Sequence, residues 1–104
     1  MELDISVQTF AAHTGSTFYA QTLAGEIPLQ LIEVSPLPRG ARPAYLRDPL
    51  ILIFQGPDTP ALLQDNYPLR HEALGEFVWC LTPIAGPIPV IAPNEKRQYQ
   101  VIFN

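Results

Sequence analysis

Only one cysteine, Cys80, is present, so no internal disulfide can form and the fold must rest on packing. Charge is scarce too, with Asp, Glu, Lys and Arg making up 15% of the chain. Basic charge is the scarcer sign: six Lys and Arg stand against ten Asp and Glu, a net charge of −4. Arg39, Arg42 and Arg47 are strewn along one loop, and Lys96–Arg97 is only a pair. No basic face can be assembled from these, which argues against nucleic acid or an anionic membrane surface as a partner. Long apolar runs are also missing. The longest, LILIF from Leu50 to Phe54, is far short of a membrane span. The opening MELDISVQTF has two acids and neither a basic n-region nor an apolar h-region, so no signal peptide is expected and the expected location is the cytoplasm.

Apolar residues, at 47%, and twelve prolines are what the chain has in plenty. That apolar share in 104 residues suits one globular domain, 1–104, with a core of its own. With so little charge, much of the surface must be neutral, and neutral surface invites contact with other proteins. Most prolines fall between apolar runs and block a second helix almost everywhere.

One short helix is expected near the start, with Ser6 as N-cap and Gly15 as the stop, and Val7, Phe10 and Ala11 on one face. After Gly15 the pattern changes to period two. STFYAQTLAG, IPLQLIEVSPL, PLILIFQGP, NYPLRHE, EFVWCLTP and RQYQVIFN read as strands. Ile27, Leu29 and Leu31 share a face, and Pro28 marks an edge or a strand start. PLILIFQGP is apolar on both faces and is the candidate for the most buried strand. The expected fold is all-β: about six antiparallel strands in a small barrel or sandwich, with one short N-terminal helix.

RHEALGEF, residues 70–77, is the most chemical-looking stretch. It reads as a hairpin turn with Ala73, Leu74 and Gly75 in the loop, where only glycine takes the final left-handed position without steric cost. This register sets Leu69 opposite Trp79, Tyr67 opposite Leu81 and His71 opposite Phe77, and one face is then almost wholly apolar. A metal site is disfavoured. His71 and Glu72 would point to opposite faces of a regular strand, and no H-x-x-E-H, H-E-x-x-H or C-x-x-C spacing occurs. Cys80 reads as a buried inert thiol. FQGPD and HTGST hold single glycines and read as turns, not phosphate loops. No metal and no cofactor is expected.

TPIAGPIPVIAPNEKRQ, residues 82–98, lies between two strands and has four prolines, yet carries Ile84, Ile88, Val90 and Ile91. Apolar residues in a connecting segment either fold back on the core or form an exposed patch. Those four isoleucine and valine residues are therefore the candidate partner-binding residues. Proline would lower the entropy cost of docking.

Three stretches carry a resemblance. FAAHTGSTF has the form F-x-x-H-x-G, RHEALG contains H-x-x-L-G, and YQVIFN closes the chain as Y-x-x-x-F-N. Together with FQGP and LLQDNYPLRHEALGEFVWCLTPI they resemble a family of small bacterial proteins, about one such domain long, classed as a domain of unknown function. The stretch from Ala85 to Arg97 is longer and more apolar than that family leads one to expect. The resemblance implies a β-rich domain with no established activity and no catalytic residues to carry over, and it points toward an accessory or assembly role in a phage-tail-like or tail-fibre-like system.

The leading expectation is thus a non-enzymatic interaction or assembly domain with a protein partner or a second copy of itself. The alternative is a small-molecule-binding or hydrolytic β-barrel that uses His13 or His71 as its acid–base group, since a histidine titrates near neutrality.

Overall fold

In the computed structural model, residues 5–38, 40, 49–57, 61–84 and 97–103 are described. A five-residue helix, α1 (Val7–Ala11), precedes six strands: β1 (Thr17–Thr22), β2 (Gly25–Pro36), β3 (Leu50–Gly56), β4 (Asp65–His71), β5 (Gly75–Ile84) and β6 (Arg97–Phe103). The strands close into an antiparallel barrel in the order β1-β2-β3-β6-β5-β4. Two three-stranded meanders are therefore joined along two seams, β3–β6 and β1–β4. The all-β expectation holds, and between the two architectures it is the barrel.

Alternation fills the barrel. β3 has the burial pattern expected of an apolar strand, with Leu50, Leu52 and Phe54 inside and Ile51 and Ile53 half-buried outside. Phe18, Leu29, Leu31, Leu69, Leu81, Tyr99 and Val101 complete a side-chain core. β2 changes face midway. Leu31 pairs with Phe54, but Glu33 pairs with Ile53, so Ile32 is an extra residue. This bulge carries the inward parity from Ile27, Leu29 and Leu31 over to Val34. Pro28 sits in the part of β2 that pairs with β1 but lies beyond its ladder with β3, which begins at Gln30–Gln55. Its missing N–H therefore has no neighbour to disappoint, as at an edge. Nearby, a Cβ on Gly56 would sit 2.7 Å from a methyl of the buried Leu29, so the strand can approach this closely only as glycine.

Both ends of the barrel are covered. Ser6 caps α1 by accepting the Thr9 N–H, and the helix drives Phe10 into one end. Phe10 stands edge-on to Trp79 at 5.6 Å and stacks on Phe103 at 6.0 Å. The helix stops at Ala11, short of Gly15. Residues 12–15 turn instead, and the Gly15 N–H donates to the Leu31 carbonyl, tying this turn to β2. At the other end Leu62 is buried, and its N–H donates to the Tyr99 hydroxyl at 2.9 Å.

The β4–β5 hairpin corrects the expected register by two residues. Leu69 pairs with Phe77, Tyr67 with Trp79 and His71 with Gly75. The loop is Glu72, Ala73 and Leu74, and Gly75, with φ of 95°, is the first residue of β5. A slip of two keeps every side chain on its face, so the apolar face survives. The physical cause lies in His71. Its Nδ1 accepts the N–H groups of Ala73 and Leu74 at 3.0 and 3.1 Å and closes the turn one step early. Cys80 also departs from expectation, because it lies on the outward face of β5 and is exposed.

Candidate functional site

Among the described residues, chemistry-bearing groups gather at two places, one beside α1 and one along the β1–β4 seam. The first lies beside α1. His71 is 5% exposed, and its ring packs 4.4 Å from Phe18 and 5.0 Å, edge-on, from His13. Its Nε2 lies 2.9 Å from Ser16 Oγ, whose hydroxyl donates to the His13 carbonyl. The two backbone donors on Nδ1 require that nitrogen to carry a lone pair, so in the neutral ring the proton sits on Nε2 and is donated to Ser16. This is the wrong direction for a nucleophile pair, because a base that activated Ser16 would need its lone pair on Nε2. Burial, and then the neighbouring His13, lower the His71 pKa below the ordinary 6.5, with Glu72 pulling weakly the other way. The ring is thus held neutral and engaged at both nitrogens. Sequence reasoning placed His71 at the end of an apolar face. It did not see that His13, Ser16 and His71 meet, since fifty-five residues separate the last two.

The second place is the β1–β4 seam. Among the described residues, Tyr19–Arg70 and Ala20–Leu69 pair there. Continuing that register would set Gln21 opposite Pro68, which has no N–H to give a ladder, and the strands part. Above the join, Arg70 clasps Glu26 of β2 through two hydrogen bonds, Nε to Oε2 at 3.2 Å and Nη2 to Oε1 at 3.0 Å. Its guanidinium also lies 4.7 Å from the Tyr19 ring centre. The Arg70 hydrogen bond holds the Glu26 carboxyl below its usual range, helped by a hydrogen bond from Gln21. Arg70 lies directly opposite Glu76 on β5, yet turns to Glu26.

Beyond the last pair the seam widens into an open groove of about 460 Å³ between the β1–β2 turn and residues 61–67. Thr22 shapes the turn, donating through Oγ1 to the Gly25 carbonyl at 2.7 Å and accepting the Ala24 N–H at 3.1 Å. This leaves Leu23 fully exposed at the tip, with a relative exposure of 110%. Leu63 faces it across the groove at 79%. Tyr67 donates to the Leu63 carbonyl at 2.7 Å and fixes that wall, and burial raises the Tyr67 pKa so the phenol stays a donor. A smaller hollow of about 330 Å³ continues along the seam past Leu69, Phe77 and Val78. The most exposed large apolar side chains of the described residues therefore share one groove.

The residues singled out in the sequence lie partly elsewhere. Ile84 is the last residue of β5, half-buried and paired with Gln98. Ile88, Val90 and Ile91 lie outside the described residues. Leu23 and Leu63 were missed. The available signals were weak: a leucine between Thr22 and Ala24–Gly25 at a turn, and a Leu62–Leu63 pair of which only one member can face inward. Among the described residues no three His, Cys, Asp or Glu side chains come together as a metal would need, and no helix is long and apolar enough to cross a membrane.

No curated protein and no solved structure matches the chain. A family model does: residues 5–103 match the one described as Domain of unknown function (DUF6916), and the chain belongs to that family.

Proposed function

We propose that this chain is a non-enzymatic protein-interaction or assembly domain and that it takes its partner at the groove where the β1–β4 seam opens. The observation that carries this reading is the pairing of Leu23 and Leu63, both exposed, across one groove. Burying such a side chain is worth roughly 1.5–3 kcal/mol, so two of them on a rigid barrel end make a serviceable anchor. Inside the barrel, Phe18, Leu29, Leu52, Phe54 and Tyr99 belong to one buried apolar cluster. An accessory part of a phage-tail-like or tail-fibre-like assembly would suit such a surface. Ile88, Val90 and Ile91 follow β5, which ends at this same end of the barrel, and they are kept as further partner-binding candidates.

The test is affinity capture from lysate of the source cells with the wild type, Leu23→Asp/Leu63→Asp and Ile88→Asp. Because Leu23 and Leu63 are exposed, the double variant should keep its melting temperature and lose the partner. Retention of the same partner by the double variant would remove the groove from the reading. Light scattering on the isolated protein distinguishes a second copy from a different partner.

The alternative, a small-molecule-binding or hydrolytic barrel using His13 or His71, has less support. His71 has both nitrogens occupied, with its proton on the one facing Ser16. Kinetic or binding signal lost on His71→Asn, at unchanged stability, would favour it.

A further inference from the structure

His71 does a job usually done by asparagine or aspartate. Acceptance of the N–H groups two and three residues ahead is the Asx-turn pattern, here made by a ring nitrogen. The difference is that a ring nitrogen takes a proton near neutral pH. A proton on Nδ1 would turn the acceptor into a third donor pointed at two others, and both bonds at the turn's centre would fail together, while Nε2–H would still donate to Ser16. The turn does not stand alone. Leu74 within it packs against the core. Leu69 and Arg70, just before His71, make the two β1–β4 pairs that close the barrel among the described residues. Ser16 ties the same ring to the turn that follows α1.

We propose that His71 is a proton-operated latch: the neutral ring holds the 72–74 turn and the β1–β4 closure beside it, and the protonated ring releases them. Few titratable groups face it among the described residues. His13 comes from the turn after α1, its ring centre 5.0 Å away, and a second positive charge there works against protonation. Glu72, from the hairpin itself, favours it. From β1 comes only the neutral Phe18 ring, and from β5 only Gly75, opposite His71 and without a side chain. Since the folded ring is the poorer base, the stabilisation is whole above the unfolded value of 6.5 and is lost as pH falls from there toward the lower folded value.

The experiment combines side-chain ¹⁵N spectra of the histidines with amide exchange, corrected for intrinsic rates, from about pH 7.5 to pH 5. In the wild type, His71 should show a bare Nδ1 and a protonated Nε2 at the upper pH. Protection of the Ala73 and Leu74 amides should then fall on the order of tenfold, with its midpoint at the protonation of His71. Seam amides in Tyr19 and Arg70 should follow. His71→Asn keeps an acceptor in place and cannot titrate, so its protection should stay level across this range. His13→Gln should move the midpoint to higher pH. Exchange at Ala73 and Leu74 that ignores His71 protonation in the wild type would overturn the latch. An equal loss of protection in His71→Asn would do the same.

Discussion

A histidine nitrogen and a glycine decide where β4 turns into β5. Gly75 holds φ of 95° with open space where a Cβ would lie, so a side chain there strains the backbone without clashing. Gly75→Val should therefore destabilise the domain by more than about 1 kcal/mol, read as a lower urea midpoint at unchanged slope. The face of each residue in this hairpin was legible from alternation alone. The register was not, because a slip of two residues satisfies the same alternation, and the feature that breaks the tie is a ring accepting two backbone N–H groups. Cys80 shows the opposite case. Its outward position follows from alternation with Trp79, but its burial was inferred from residue type, which burial in a barrel does not obey. Glu26 offers a test of the clasp across the seam. Its carboxyl is held low by Arg70, so the stability it lends is present above 4.5 and lost as pH falls through that range. The stability of Glu26→Gln should decline less between about pH 6 and pH 3 than that of the wild type, and the effect should shrink with salt.

Among the elements, α1 is the smallest and one of the most consequential. Its five residues are too few to be stable as an isolated helix, so the helix exists because Phe10 packs against Trp79 and Phe103. Phe10→Ala should cost roughly 3–5 kcal/mol by thermal or urea unfolding, and a cost near zero would mean the helix is not the barrel's end cap. The helix cap and all six strands could be read from the sequence, since both rest on local spacing. The bulge at Ile32 could not, because it is visible only against a partner strand. Nor could the closure of β1 on β4. It depends on two strands about fifty residues apart and on Pro68, which reads locally as a strand residue like its neighbours.

At the scale of the whole molecule, a filled barrel has its exposed apolar side chains where its shortest seam parts. Low charge in the sequence signals a neutral, contact-prone surface, with Ile84, Ile88, Val90 and Ile91 as partner-binding candidates, of which Ile84 alone lies among the described residues. Which leucine is left outside is a property of the turn at Thr22 and of the buried Leu62, neither of which a pattern of apolar residues reveals. The groove reading is tested most directly by the footprint of a captured partner on the chain, measured as amide-exchange protection in the complex. Protection concentrated at residues 21–24 and 61–67 is the outcome expected of a partner seated between Leu23 and Leu63. Protection confined to the His13–Ser16–His71 end, with 21–24 and 61–67 exchanging as in the free protein, would contradict it.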